Sequence, residues 1–169
     1  ADSLEIGFRG KSNGLRYSLA GFENRYQNFI SQEVIGGGGR PTNPTIYQYV
    51  NLANAKIQGV AAQVELKLGQ RWTVQTGAAY LKGDSQSNGI SSPINSVQPF
   101  KAMFGLQYDA GEWGGQATVL YSAAKDTSRI APGRTPQFAS PDYTVLDLGV
   151  YWKPSPDLTF NANVNNVLD

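Results

Sequence analysis

Three stretches of the chain alternate two kinds of residue with a period of two, and each ends its apolar face on an aromatic ring at both extremes. Trp72 and Tyr80 bracket Val74, Thr76 and Ala78; Phe100 and Tyr108 bracket Ala102, Phe104 and Leu106; Trp113 and Tyr121 bracket Gly115, Ala117 and Val119. Alternation of period two marks a β-strand with two unlike faces. Every bracket is nine residues long, and a tilted strand needs about nine to eleven residues to cross the hydrocarbon layer of a membrane. Rings that are apolar in body and wet at one edge favour the two membrane interfaces. The repeated height of the apolar face is thus the tightest constraint on what this chain can form.

The alternation extends to eight expected strands, at 3–10, 15–30, 47–68, 71–82, 98–108, 113–124, 142–153 and 158–167. Short turns join some of them, at Lys11–Gly14, Gly69–Gln70, Asp109–Glu112 and Pro154–Asp157, with residues suited to tight backbone geometry. Long connections lie between these turns, at 31–44, 82–96 and 125–141. Outer-membrane barrels sort their loops in this way, with short periplasmic turns and long extracellular loops. All three tryptophans, Trp72, Trp113 and Trp152, stand beside a short turn and are expected to form the periplasmic girdle. The opposite face carries Thr73, Gln75, Gly77, Lys101, Met103, Gln107, Gln116 and Thr118, and also Glu65, Lys67 and Asp147. The apolar face of the fourth to eighth strands is expected to be free of charge, because a charge at the bilayer midplane costs ~2–4 kcal/mol. Phe22 breaks parity with Tyr17 and Leu19, which places a bulge at Gly21.

Composition narrows the function classes. No run approaches the ~18 apolar residues of a membrane helix. The chain has no cysteine and no histidine, which removes disulfides, thiolate metal sites and the commonest general base. A net charge of +1 from 14 basic and 13 acidic residues gives no basic patch for nucleic acid. Two soluble or self-contained readings stay open. A β-sandwich or jelly roll shows the same alternation, although its strands are more often about 5–6 residues long. Eight strands also suffice for a small self-closing, porin-like barrel.

The runs YVNLANAKIQGVAAQVEL (49–66), WTVQTGAAYLKGD (72–84), INSVQPFKAMFGLQYD (94–109), YTVLDLGVYWKP (143–154) and LTFNANVNNVLD (158–169) together resemble the C-terminal barrel portion of TonB-dependent outer-membrane receptors. NAKIQGVAAQ and NVNNVLD are the most specific of these, with Gln63 standing where the family often has Glu. SLEIGFRG (3–10), INSVQPFKAMFGLQYD (94–109) and KDTSRI (125–130) are most similar to the haem and haemoglobin branch, whereas Glu5, Gly7 and Arg9 are shared with siderophore receptors. The resemblance implies an all-β, antiparallel segment of about eight meandering strands from a 22-stranded barrel, in the bacterial outer membrane. Residues 1–169 would be a partial barrel domain without the plug domain and final strand. It further implies active uptake of an iron-bearing cargo, haem before ferric siderophore, without covalent chemistry, enzymatic activity, a resident metal or a covalently held cofactor. The implied partners are outer-membrane lipid, the TonB complex acting through the plug, and a haem-carrying protein.

Candidate residues follow. Arg40, Tyr47, Tyr49, Lys125, Arg129 and Arg134 are the loop and ligand candidates, although a surface tip, a girdle ring and a solvated loop charge are the ordinary roles of such residues. Glu5, Arg9, Lys101 and Asp147 are the candidates facing the lumen and plug. Trp72, Tyr80, Phe100, Tyr108, Trp113, Tyr121 and Trp152 form the expected lipid-interface girdle. Gly36–Gly39 lacks the Gly-Lys-Ser/Thr that a phosphate loop needs. Asp84 with Asp109 or Glu112 is no paired-carboxylate site, because these residues fall at opposite ends of strands.

Overall fold

The computed structural model describes residues 1–87, 89–131 and 138–168. Among these residues nine strands make one antiparallel sheet: β1 (Asp2–Ser12), β2 (Leu15–Gly36), β3 (Ile46–Leu68), β4 (Trp72–Ser87), β5 (Ile90–Pro93), β6 (Lys101–Asp109), β7 (Trp113–Ser122), β8 (Tyr143–Ser155) and β9 (Leu158–Val164). The order β1-β2-β3-β4-β6-β7-β8-β9 is a meander, with β5 folded back on the outer end of β4. The eight expected strands are all present. What the alternation did not show is β5 and the added length of β2 and β4, which rise beyond the apolar belt as ribbons at the long-loop end.

Register confirms that the two patterns lie on opposite faces. Val74, Leu106, Ala117, Leu148 and Val164 are successive partners across five strands, and so are Trp72, Tyr108, Gly115, Val150 and Ala162. On the other face Thr73, Gln107, Gln116, Gly149 and Asn163 form a row, as do Gln75, Gly105, Thr118 and Asp147. Among the described residues no second layer covers the apolar row. Among the described residues Ala55, at 2% exposure, is the one buried apolar residue, while Phe104, Leu148, Val150 and Phe160 are all open on the apolar face. A sandwich would have enclosed these side chains, so that reading is corrected. The self-closing barrel is corrected too, because β1 and β9 are edge strands that do not pair with each other among the described residues.

Two expectations about parity change. The β1–β2 and β2–β3 registers run unbroken through Gly21, so there is no bulge there. Phe22 instead turns to the polar face, where its ring covers Gly59: a Cβ on Gly59 would stand 3.0 Å from Phe22 Cζ. An aromatic ring laid over a glycine of the neighbouring strand pins register, and Tyr17 over Gly10 and Tyr151 over Gly114 repeat the device. The apolar face of β4 is also not free of charge. Lys82 pairs with Gln58 and Asp84 with Lys56, both one or two steps beyond the Tyr80–Val60 pair. On β2 and β3 the same level holds Glu23, bridged to Arg25 at 2.6 Å and Lys56 at 2.7 Å. Charge therefore begins where the aromatic row ends, which fixes the outer limit of the apolar belt.

Candidate functional site

The aromatic residues singled out as a girdle stand at the two ends of the apolar rows of the sheet. At the short-turn end Trp72, Tyr108 and Trp113 form a ladder with ring centroids 4.7 and 5.0 Å apart, and Trp152 stacks on Phe160 at 5.7 Å. Arg71 donates from Nη1 to the Tyr108 hydroxyl at 3.4 Å. Tyr80 and Tyr121 end the belt at the long-loop side, and Phe100 stands just before β6 with its carbonyl accepting from Ala123 N at 2.9 Å. The aromatic limits thus face outward on both sides of an aliphatic band.

The polar face is a wall of amides, hydroxyls and glycines with few charges. Arg16 pairs with Glu65 at 3.4 Å. Glu5 is opposite Phe22 and Arg9 opposite Ser18, while Lys101 sits between Ala79 and Ser122. Asp147 is opposite Thr118, and its Oδ1 accepts from the backbone N of Asn166 at 2.9 Å. Asn166 takes a left-handed φ of 53°, and Val167 N donates to Leu146 O at 2.8 Å. Asn tolerates that conformation better than most side chains, which gives the NVNNV segment a structural role. Asp147 ties down the end of β9 as well as facing the polar side.

The long-loop end gathers the remaining candidates unevenly. The tetraglycine run closes into a tight tip: Gly38 N and Arg40 N donate to Asn43 O at 3.0 and 3.2 Å, and Asn43 N returns a bond to Arg40 O at 2.9 Å. Gly37 has φ of 83° and lies against the Pro44 carbonyl, so only glycine fits. Arg40 is exposed on this tip. Tyr47 and Tyr49 lie on the outer ribbon of β3, opposite Val34 and Gln32, and are well exposed. Arg134 lies outside the described residues.

Lys125 and Arg129, by contrast, are already occupied. Strand pairing between β4 and β6 stops at Ala79↔Lys101, and pairing with β5 starts at Asp84↔Pro93. Arg129 enters the gap: Nη1 meets Asp84 Oδ1 at 2.8 Å and Nη2 donates to Gly83 O at 2.7 Å. Lys125 Nζ donates to the carbonyls of Asn95, at 3.3 Å, and Val97. Ala131 N donates to Asn95 Oδ1 at 2.7 Å. The 3-10 turn Thr127–Arg129 that aims the guanidinium starts on Asp126, whose Oδ1 accepts from Ser128 N at 2.8 Å. Bonds from the Ser128 side chain and then its backbone N–H hold the Asp126 carboxyl below the ordinary carboxylate value. Gly83 has no room for a side chain, since a Cβ would sit 2.5 Å from Val97 Cγ2. Sequence reading singled out the two cations and missed their acceptors. The available signals were Asp-Thr-Ser, a local capping pattern, and the glycine inside Lys82-Gly-Asp.

Comparison with known proteins gives the architecture its family. The family model for the TonB dependent receptor-like β-barrel matches residues 1–167. A haemoglobin and haemoglobin-haptoglobin-binding protein A of Haemophilus influenzae is 32% identical over 168 residues, covering 86% of this chain and 15% of that protein. The haemoglobin-haptoglobin utilization protein B of Neisseria meningitidis serogroup C is 26% identical over 197 residues, covering 99% of this chain and 24% of its own length. Among solved structures, the copper transporter OprC superposes with a TM-score of 0.80 at 23% identity, over 99% of this chain and 25% of that one. The ferric enterobactin receptor PfeA of Pseudomonas aeruginosa gives 0.71 at 22% identity, over 99% and 25%. The chain spans about a quarter or less of the length of each of these proteins. With an unclosed antiparallel meander, one lipid-type face and one amide-rich face, it belongs to the TonB-dependent receptor β-barrel family.

Proposed function

We propose that this chain forms part of the wall of an outer-membrane receptor that takes up haem from a haemoglobin-type carrier, with the TonB complex supplying energy through a plug domain. The observation that carries this reading is the likeness to haemoglobin- and haemoglobin-haptoglobin-binding proteins across 86–99% of the chain. The likeness to copper and enterobactin transporters stays below 25% identity and supports the fold alone. In this reading the apolar belt contacts outer-membrane lipid, and the amide wall faces a hydrated lumen and plug. Such a wall suits a partner that must move, because neutral amides and hydroxyls exchange hydrogen bonds with water at little net cost. Glu5, Arg9 and Lys101 are then the charges available to plug residues. The outer ribbons bearing Arg40, Tyr47 and Tyr49 are available to cargo or its carrier.

The reading is tested by growth of the source bacterium on a single iron source. Deletion of the gene carrying this segment is expected to abolish growth on haemoglobin and spare growth on ferric enterobactin. The reverse result overturns haem in favour of a siderophore, and growth on both overturns the reading altogether.

A further inference from the structure

The polar bonds at the long-loop end join two connections that are far apart in sequence. The connection between β7 and β8 reaches the segment 83–97 through Lys125, Arg129 and Ala131, with Gly83, Asp84, Asn95 and Val97 as the receiving residues. Arg129 is central because it bonds both the Asp84 carboxylate and the Gly83 carbonyl, which also accepts from Ile94 N at 3.0 Å, so one side chain ties the Thr127–Arg129 turn to β4 and to the turn after β5. A charge-assisted bond of this kind is roughly twice as strong as a neutral one. The pair is partly shielded, at 29% and 36% side-chain exposure, so water weakens it less than it does a fully exposed ion pair.

An exposed ring stands at the same junction. Lys125 N donates to Ser140 O at 2.9 Å, which pins the returning chain. Phe138 stands two residues away at 83% exposure, beside a shallow hollow lined by Val97, Pro99, Lys125 and Ile130. Among the described large apolar residues Phe138 is the most exposed, ahead of Tyr49 at 74%. Ordering loops on binding costs conformational entropy, so a surface ordered beforehand binds better. A stable protein complex also covers about 800 Å² on each partner, more than one loop tip offers.

Resting on the function proposed above, we propose that Arg129 is a positioning residue: it locks residues 83–84 and 95–97 to residues 125–131 as one platform, beside which Phe138 anchors the cargo-carrying protein. The cation contributes by holding the loops and leaves contact with the carrier to the ring.

Three variants, Arg129→Ala, Arg129→Lys and Phe138→Ala, separate holding from touching in the intact receptor purified in lipid nanodiscs. This segment contains no cysteine, so once any cysteine elsewhere in the receptor is replaced by serine, spin labels at Ser96→Cys and Thr127→Cys report the distance between the two connections. Wild type and Phe138→Ala are expected to give one narrow distance distribution, and Arg129→Ala a broad one, with Arg129→Lys intermediate. Haemoglobin affinity is expected to fall about tenfold or more in both alanine variants, while uptake of free haemin is unchanged. A narrow distribution in Arg129→Ala overturns the positioning role. Unchanged haemoglobin affinity in either alanine variant, or a parallel loss of free haemin uptake, overturns the platform. Wild-type receptor that fails to bind haemoglobin removes the parent reading and the carrier with it, and the spin labels then still decide whether Arg129 holds the loops.

Discussion

The belt and the long-loop end of the same sheet are held by different physics. In the belt every strand contributes the same kind of side chain at the same height, and Val74, Leu106, Ala117, Leu148 and Val164 are interchangeable in character. Their environment is the solvent on that face, so no single neighbour matters much. At the loop end the opposite holds: Arg129, Asp84, Gly83 and Asn95 form bonds of set geometry between residues up to 46 positions apart. Repetition makes the belt tolerant of conservative change and intolerant of charge. Specific pairing makes the loop end sensitive to single atoms.

The largest effect follows from placing the same charge on the two faces of one strand. Phe104 lies mid-belt on β6, between Thr76 and Val119, while Met103 beside it faces the polar wall between Gly77 and Leu120. Phe104→Arg is expected to lower folding stability in liposomes by ~2–4 kcal/mol, and Met103→Arg by less than ~1 kcal/mol. Denaturant titration of the receptor, followed by its heat-modifiable migration on a gel, measures both. Equal losses would mean that the two faces meet the same solvent, and the distinction between them would fail.

This contrast also explains what could be read in the sequence. Which face a side chain takes depends on its own position in a strand, so eight strands, their turns and the positions of all three tryptophans were legible from local alternation. Phe22 was misread because its partner, Gly59, comes from the next strand and leaves no mark on β2 itself. Lys82 was overlooked because it follows Tyr80 at the same parity, just past the edge where charge becomes acceptable. Lys125 and Arg129 looked like free loop cations, since their acceptors are mostly backbone carbonyls that any residue type supplies. The added strand β5 depends on how residues 84–93 fold back on β4, a matter of turn closure and not of periodicity.

A smaller effect separates glycines by what surrounds them. A Cβ on Gly114 would lie within 2.5 Å of the Tyr108 carbonyl and against the Tyr151 ring, while a Cβ on Gly21 would meet nothing closer than 3.9 Å. Gly114→Ala is therefore expected to destabilise by about 1–3 kcal/mol through overpacking. Gly21→Ala is expected to stabilise by about 0.4–1 kcal/mol, since it removes freedom from the unfolded chain. The same denaturant titration reads both signs. Should Gly114→Ala prove neutral, the cover of Tyr151 over this glycine is not fixing register, and repetition alone would account for the short-turn end.

The smallest effect is confined to the loop end and concerns pH. The apolar face of β6 to β9 carries no carboxylate or amine, so acid has nothing to titrate there. Asp126 is different, because hydrogen bonds from the Ser128 side chain and backbone favour its charged form and lower its pKa from the ordinary 3.8. A carboxylate depressed in the folded state contributes its stabilisation fully above the unfolded pKa, and loses it as pH falls through the lowered folded value. The Thr127–Arg129 turn should therefore hold constant from neutral pH down to about 5 and loosen only below about 4. Nuclear magnetic resonance of the Asp126 carboxyl carbon in bilayers would show a midpoint below that of free aspartate, and the Ser128 amide signal would shift at the same pH. Asp126→Asn keeps an acceptor oxygen but removes the proton, so it should erase the pH dependence of Ser128. If the Ser128 signal still moved in that variant, another group would control the turn. Acid sensitivity would then belong to the loop end as a whole, and the specific pairing argued for Asp126 would not be its cause.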